Sequence, residues 1–241
     1  MPKSKIIAGG LVPFTTIDYP RMVSCVVFLQ GCPWRCSYCS NPHLFEFRAH
    51  APKDSENWRY ILDLLARRTK VLDAVVFSGG EATAQAKALA AAIDDVHAVS
   101  PRYKIGLHTN GCRPEQLAEI LPRVDWVGLD IKAPLEKYDS ITKVDGSGAA
   151  AFASLDLVLQ SGVDFEVRTT ADPSVLGKDD ILALGGTLAG RGVKSYALQR
   201  YRPINGDDPK NPPIQSIMQF FADKEFADAL KGMFPDFQMR F

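Results

Sequence analysis

Three cysteines of this chain, Cys32, Cys36 and Cys39, lie within eight residues in the spacing C-x3-C-x2-C. Thiolates are soft ligands that suit zinc or iron–sulfur clusters. Structural zinc normally takes four protein ligands, whereas three thiolates on a four-iron cluster leave one iron open for another molecule. The spacing therefore indicates a [4Fe–4S] cluster. A zinc knuckle that uses His43 as its fourth ligand is the alternative.

The composition fits a chain whose cysteines stay reduced. Its 241 residues include 28 basic and 28 acidic side chains and five cysteines. Balanced charge gives no general attraction to nucleic acid or to a membrane surface, and no apolar run approaches the roughly 20 residues of a membrane span. The first ten residues lack the pattern of a signal peptide. We expect a cytoplasmic protein without nucleic-acid or membrane partners, in which the odd cysteine count favours metal over disulfides.

Six short apolar runs predict buried strands. They cover residues 23–29, 73–78, 104–108, 126–130, 164–169 and 194–199. Helical patterns separate the runs, and Thr83 is a candidate N-cap for one of the helices. Strands that alternate with helices predict a parallel α/β sheet, either doubly wound or a barrel. Six units fit this length better than eight, which favours a partial (β/α)6 barrel of the TIM type.

A single domain is expected over residues 1–241. Its core would cover about residues 20–202, and residues 203–241 would add a loop and a helix that breaks near Asp223. No functional motif is visible in residues 207–241.

Residues suited to chemistry follow the predicted strands, as expected if a site forms at the carboxyl ends of a parallel sheet. The cysteines follow the first strand. The later strands end in Ser78, Gly79, Gly80 and Glu81; in His108 and Asn110; in Asp130 and Lys132; and in Arg168.

The cysteine spacing, Tyr38 before the last cysteine and the Gly-Gly-Glu sequence at 79–81 together resemble the radical SAM superfamily. The resemblance implies that Cys32, Cys36 and Cys39 bind one [4Fe–4S] cluster. It also implies that the amino and carboxylate groups of S-adenosylmethionine (SAM) chelate the open iron, with Tyr38 beside these cofactors. An electron from the reduced cluster then breaks the sulfonium C–S bond, and the resulting 5′-deoxyadenosyl radical abstracts a hydrogen atom.

The same resemblance implies roles at the SAM site for the residues at the strand ends. It implies that the backbone from Ser78 to Glu81 meets the methionyl ammonium. Asp130 and Lys132 resemble the D-[LI]-K segment of glycyl-radical activating enzymes, which lies near the SAM and peptide pocket. Side chains alternate along a strand, so both can point the same way; a satisfied buried ion pair is the alternative.

Two further positions take their roles from the resemblance. Thr109-Asn110-Gly111 resembles the T-N-G of those activases, and it implies that Asn110 lies at the SAM site. Histidine at 108 stands where activases of the pyruvate formate-lyase type carry an aspartate, so no cation site is expected there. Arg168 would bind the SAM carboxylate, and a salt bridge to Glu166 is the alternative.

Residues 10–20, 126–134 and 167–170 resemble the activating proteins of anaerobic ribonucleoside-triphosphate reductase, a group close to the pyruvate formate-lyase activases. This implies hydrogen abstraction from a glycine Cα of that partner, with electrons from flavodoxin or ferredoxin. A radical SAM enzyme that acts on a small molecule is one alternative. A non-enzymatic metal or electron-transfer module is another.

Overall fold

One eight-stranded sheet forms the centre of the computed structural model, which describes residues 5–48, 50, 57–202 and 212–241. The strands are β1 (Ala8–Thr15), β2 (Ser24–Leu29), β3 (Ala74–Gly79), β4 (Lys104–Thr109), β5 (Trp126–Asp130), β6 (Asp164–Ala171), β7 (Ser195–Arg200) and β8 (Asp236–Arg240). Strand β1 is antiparallel to β2, and β2 to β8 are parallel. The spatial order of the strands equals their order in the chain, so the sheet lacks the reversal of a doubly wound fold. The result is an open, barrel-type α/β sheet with β1 and β8 at its edges.

The helices follow the predicted strand–helix alternation. They are α1 (Trp58–Arg67), α2 (Ala86–Val99), α3 (Pro114–Ile120), α4 (Leu135–Thr142), α5 (Ser147–Ser161), α6 (Lys178–Gly190), α7 (Ile214–Phe221) and α8 (Lys224–Met233). Local caps define several ends: the Asn57 side chain accepts from the Arg59 amide before α1, and Gly162 ends α5 with φ +74°. Between α7 and α8, Asp223 accepts a hydrogen bond from the Phe226 amide. The predicted break near Asp223 is confirmed, because this aspartate caps a new helix.

The two faces of the sheet bury different residues, because side chains alternate along each strand. Cys25 and Val27 pack into the large core shared with the helices. Val26 and Trp126 point to the opposite, concave face, where they form a small apolar cluster with Tyr19. Tyr19 belongs to the segment that joins β1 to β2, so this segment covers part of the concave face.

The six predicted strands are confirmed as β2 to β7, and the structure contains further elements before and after them. Strand β1 lies before residue 20. Residues 212–241 form the two helices on either side of the break at Asp223 and then a seventh parallel strand, which was not predicted. Residues 203–211 of the predicted loop lie outside the described residues. The prediction that Thr83 is the N-cap of a helix is wrong. Glu81 precedes a short 3₁₀ turn at Ala82–Gln85 and its side chain accepts a hydrogen bond from the Thr83 amide, and α2 begins only at Ala86.

No helix in the described part of the chain is both long and apolar enough to cross a membrane.

Candidate functional site

The cysteine loop, residues 30–46, begins where β2 ends. Its backbone is fixed on two sides. The amides of Gly31 and Cys32 donate to the carbonyls of Leu44 and Phe45, and the Arg35 amide donates to the carbonyl of Thr142 at the end of α4. Gly31 has φ +98°, a value that favours glycine, and it turns the chain sharply out of the strand. The loop therefore holds its cysteines at the carboxyl end of the sheet, as predicted.

The cysteine thiols are poorly solvated in this loop. Cys32 is buried, and Cys36 and Cys39 are half-buried. Burial, followed by the nearby Glu81 carboxylate, raises the pKa of Cys32 to about 12. Burial also raises the pKa values of Cys36 and Cys39, although Lys132 opposes the change. Thiolates at these positions need a strongly positive partner such as iron, so the donor set fits an iron–sulfur cluster.

The possible metal ligands near the cysteine loop do not converge on one point. Among the described residues, no three His, Cys, Asp or Glu side chains lie close enough together to share one ion. A zinc knuckle needs its ligands to converge on one point. Three thiolates that bind different corners of a four-iron cube do not converge in that way. The geometry therefore gives no support to a zinc site at the cysteines and His43.

Gly79 and Gly80 allow the end of β3 to touch the cysteine loop. A Cβ on Gly79, which has φ +122°, would lie 2.1 Å from the Leu29 amide nitrogen. A Cβ on Gly80 would lie 2.5 Å from the Gly31 carbonyl oxygen. The Gly80 and Glu81 amides donate to the carbonyls of Leu29 and Gly31. Glycine is thus required here by neighbouring backbone, whatever ligand binds. Ser78, the residue before them, lies half-buried on the concave face.

Glu81 connects the ends of β3 and β4. Its side chain is buried, and its carboxylate accepts hydrogen bonds from the Thr83 amide and hydroxyl, the Thr109 hydroxyl and the Asn110 amide at 2.7–2.9 Å. These four donors compensate the buried charge. The Gly-Gly-Glu sequence therefore has a structural function within the chain, which sequence reasoning missed.

Asp130 and Lys132 meet at the end of β5, with 3.1 Å between the Asp130 Oδ2 and Lys132 Nζ atoms. Both side chains therefore point the same way, and they form the ion pair that was the alternative reading of this segment. Burial by itself lowers the pKa of Lys132, but Asp130 and nearby phenol and thiol groups outweigh burial and raise this pKa well above its usual value. The ammonium also lies 5.9 Å from the ring centroid of Tyr38, whose buried hydroxyl has no hydrogen-bond partner among the described residues. A fixed cation thus stands beside Cys36 and Cys39.

Arg168 and His108 lie together on the concave face of the sheet. The Arg168 guanidinium donates to Glu166 Oε1 at 2.8 Å, lies 5.0 Å from the centroid of the Trp126 ring and approaches His108 Nε2 at 3.1 Å. The structure therefore shows the salt bridge to Glu166 that was the alternative reading of Arg168. Space for the guanidinium comes from Gly128, where a Cβ would lie 2.9 Å from Arg168 Cζ.

The His108 ring is held in its neutral form. Burial, and then the Arg168 charge, lower its pKa well below the usual value. Its Nε2 atom lies 2.8 Å from the Asp18 carbonyl oxygen as well as near Arg168. One nitrogen of a neutral imidazole either donates or accepts, so the tautomer decides which of these two contacts is a hydrogen bond.

A cavity of about 1190 Å³ opens on the concave face between β5–β8 and the segment 16–22. Arg168 and Trp126 line it, and Ser40 brings the edge of the cysteine loop to its wall. Arg240 of β8 enters the cavity and binds both oxygens of Glu166 at 2.6–2.8 Å. Sequence reasoning missed Arg240, although residues 236–240 alternate polar and apolar side chains as a short strand does.

The predicted site residues thus fall into two neighbouring groups. One surrounds the cysteine loop and contains Cys32, Cys36, Cys39, Tyr38, Gly79, Gly80, Glu81, Asn110, Asp130 and Lys132. The other, His108 and Arg168, lies in the cavity wall with Glu166 and Arg240. The first group lies at the carboxyl ends of the parallel strands, where this class of fold binds ligands. The second lies on the concave face, with the Arg168 guanidinium beside Trp126 at the start of β5.

Comparisons with known proteins agree with this architecture. A family model described as the radical SAM superfamily matches residues 26–179. The chain is 30% identical over 210 residues to a Methanocaldococcus jannaschii protein that bears the name glycyl-radical enzyme activating enzyme, covering 85% of this chain and 83% of that protein. It is 31% identical over 200 residues to the pyruvate formate-lyase-activating enzyme of Clostridium pasteurianum, covering 78% and 79% respectively.

A solved structure shares the fold. The radical SAM methyltransferase of Sphaerobacter thermophilus superposes with a TM-score of 0.70 at 16% identity, over 94% of this chain and 68% of that one. The family model covers more than half of the chain, and both sequence relatives span most of it. The chain therefore belongs to the radical SAM superfamily.

Proposed function

We propose that this chain is an activase that abstracts a hydrogen atom from a glycine Cα of a partner glycyl-radical enzyme, and that this partner is anaerobic ribonucleoside-triphosphate reductase. The observation that carries the proposal is the open cavity beside the cysteine loop. Its volume of about 1190 Å³ gives room for SAM and for an extended peptide segment. Two relatives named as activating enzymes of this kind support the reaction class.

In this proposal Cys32, Cys36 and Cys39 hold one [4Fe–4S] cluster. When bound, the reduced cluster supplies the electron that splits SAM into methionine and a 5′-deoxyadenosyl radical, which takes the glycine hydrogen. The cation of Lys132, oriented by Asp130, would attract the SAM carboxylate. Burial removes water from the Lys132 ammonium, and Asp130 keeps this group charged. The positive charge is therefore already in position when SAM binds.

The backbone from Ser78 to Glu81 would bind the methionyl ammonium, with Tyr38 and Asn110 close to SAM. Glu81 gives this turn its rigidity through the hydrogen bonds to the next strand end. Arg168 already binds Glu166, so contact with the SAM carboxylate requires its remaining N–H groups. His108 and Arg168 would then shape the boundary between the SAM site and the peptide site.

The peptide would run along the concave face. Thr170, Gln199 and Gln238 line the cavity there with groups that both donate and accept hydrogen bonds, as a peptide backbone requires. Abstraction at glycine is chemically favourable, because the two flanking amides stabilise the Cα radical. The electrons would come from flavodoxin or ferredoxin.

Anaerobic EPR spectroscopy tests the proposal. The sample holds the reconstituted protein, dithionite, SAM and anaerobic ribonucleotide reductase from the same organism. A glycyl-radical doublet on the reductase is expected with the wild type. The Cys36→Ala variant should give none, and the matched Cys112→Ala variant, which changes a half-buried cysteine outside the proposed ligand set, should keep it.

Other outcomes point to other functions. A cluster signal that SAM shifts, without a doublet on this reductase, would contradict the partner assignment. Formation of a modified small molecule without any protein partner would contradict the activase itself. If the protein with a fully loaded cluster did not cleave SAM, the result would contradict the radical SAM reaction and favour an electron-transfer module.

A further inference from the structure

Asn110 occupies the place where the end of β4 meets the cysteine loop. It is 7% exposed, and the structure fixes it through three atoms. Its backbone N–H donates to Glu81 Oε2 at 2.8 Å, and its side-chain Oδ1 atom accepts from the backbone N–H of Cys112 at 2.9 Å. Its Nδ2 atom lies 3.6 Å from the sulfur of Cys32.

These contacts determine which way the carboxamide points. The oxygen and nitrogen of an asparagine side chain are distinguished by their hydrogen-bond partners. The Cys112 amide is a donor, so it requires Oδ1 on its side. A flipped side chain would place two donors opposite each other and leave the Cys112 N–H without its acceptor. The NH2 group is therefore held toward Cys32.

We propose that Asn110 is a positioning residue for the cluster: it donates an N–H···S hydrogen bond to the Cys32 thiolate and thereby raises the reduction potential. The inference rests on the cluster ligation proposed above. Hydrogen bonds to the ligand sulfurs are one of the factors that set the potential of an iron–sulfur cluster. A donor at the thiolate offsets negative charge, and the reduced cluster carries one more negative charge than the oxidised cluster. The donor consequently stabilises the reduced state more.

The three thiolates differ in how the chain surrounds them. Cys39 accepts a hydrogen bond from the Asn41 amide at 3.4 Å, which is a backbone donor. Cys36 lies in the field of the Lys132 cation. Among the charged groups, the buried Glu81 carboxylate has the largest effect on Cys32, whose pKa it raises, and Asn110 contacts both residues. The Trp34 backbone and the Lys132 charge also stabilise the Cys32 thiolate. Removal of the Asn110 side-chain donor would leave that thiolate with less compensation for the Glu81 anion.

Potentiometric titration of the cluster, followed by EPR and visible absorption, tests the role without any partner enzyme. The Asn110→Leu variant keeps the backbone bond to Glu81 and nearly the same volume, but it removes the donor. At a fixed potential its ratio of reduced to oxidised cluster should fall about tenfold, equal to about 59 mV for one electron. Asn110→Asp, which replaces the donor with a carboxyl oxygen, should shift the ratio further in the same direction.

The matched control is Asn41→Ala. It removes a side chain that makes no capping hydrogen bond and leaves the backbone N–H···S bond to Cys39 in place, so its midpoint should equal the wild-type value. All samples are compared at four irons per chain. Equal midpoints in the wild type and Asn110→Leu would overturn the inference, as would failure of both Asn110 variants to load a cluster while Asn41→Ala loads one. Failure of the wild type itself to load would refute the ligation proposal instead.

Discussion

Glu81→Gln probes the strongest polar connection in the site. The Glu81 side chain is 1% exposed and accepts hydrogen bonds from four donors: three reach Oε1 and one reaches Oε2. Glutamine has nearly the same shape, so the change alters hydrogen bonding and charge without opening a cavity. The decrease in the free energy of unfolding therefore measures the contribution of these hydrogen bonds.

The magnitude follows from counting donors. A carboxamide has one oxygen and one NH2 group, so either orientation turns N–H toward at least one donor of the chain. The less costly orientation places NH2 opposite the Asn110 amide. One hydrogen bond to a charged group, worth about 1.5–3 kcal/mol, is then lost, and a buried donor without a partner costs about 1–3 kcal/mol more. The expected decrease in the free energy of unfolding is therefore about 2.5–6 kcal/mol.

Equilibrium unfolding in guanidinium chloride, followed by circular dichroism on protein without a cluster, measures this decrease. The control is Glu119→Gln on the exposed face of α3, which should change the free energy of unfolding by less than about 0.5 kcal/mol. If Glu81→Gln shifts the transition no more than the control does, the network does not stabilise the fold and the reasoning is wrong.

Two further sets of changes test packing and charge. Gly80→Ala should destabilise the fold by about 1–3 kcal/mol, because its Cβ would lie 2.5 Å from a backbone oxygen of the cysteine loop, whereas Gly186→Ala has open space on α6 and should stabilise it by about 0.5–1 kcal/mol; equal changes in thermal unfolding would contradict the close approach. Burial and Arg168 depress the pKa of His108 below 6.5, so below about pH 6.5 the unfolded chain binds more protons than the folded chain. Stability should then fall with decreasing pH by up to about 1.4 kcal/mol per pH unit. Unfolding curves at pH 7.5 and 5.5 measure this pH dependence of stability. It should be smaller in His108→Gln than in the wild type and unchanged in His97→Gln. An unchanged pH dependence in both variants would show that His108 is not its source.

Local sequence patterns were sufficient to predict most of the scaffold. The six apolar runs became β2 to β7, because each is a short buried segment whose period and boundaries are set by adjacent residues. The cysteine spacing and the Gly-Gly-Glu sequence were also readable, since each is a continuous stretch. Their place at the strand ends followed from the rule that parallel strands present their carboxyl ends on one side.

The C-terminal strand could not be predicted with the same ease. Residues 236–240 give only five positions of alternation, and a short edge strand becomes stable only when a neighbour supplies its hydrogen bonds. Pairing with β7 supplies them here, and it also brings Arg240 to Glu166 across 74 residues of sequence. Contacts over such a separation depend on the assembled sheet.

The sequence by itself determined the strand–helix order, the cysteine loop and the residue types at the strand ends, because these depend on neighbouring residues. Only the tertiary structure decided which partner each polar side chain takes. Arg168 had a ligand and a salt bridge as alternatives, and the fold brings it to Glu166 and Trp126. Glu81 binds the next strand end. Burial makes an unpaired polar group costly, so packing selects one partner among several that the sequence allows.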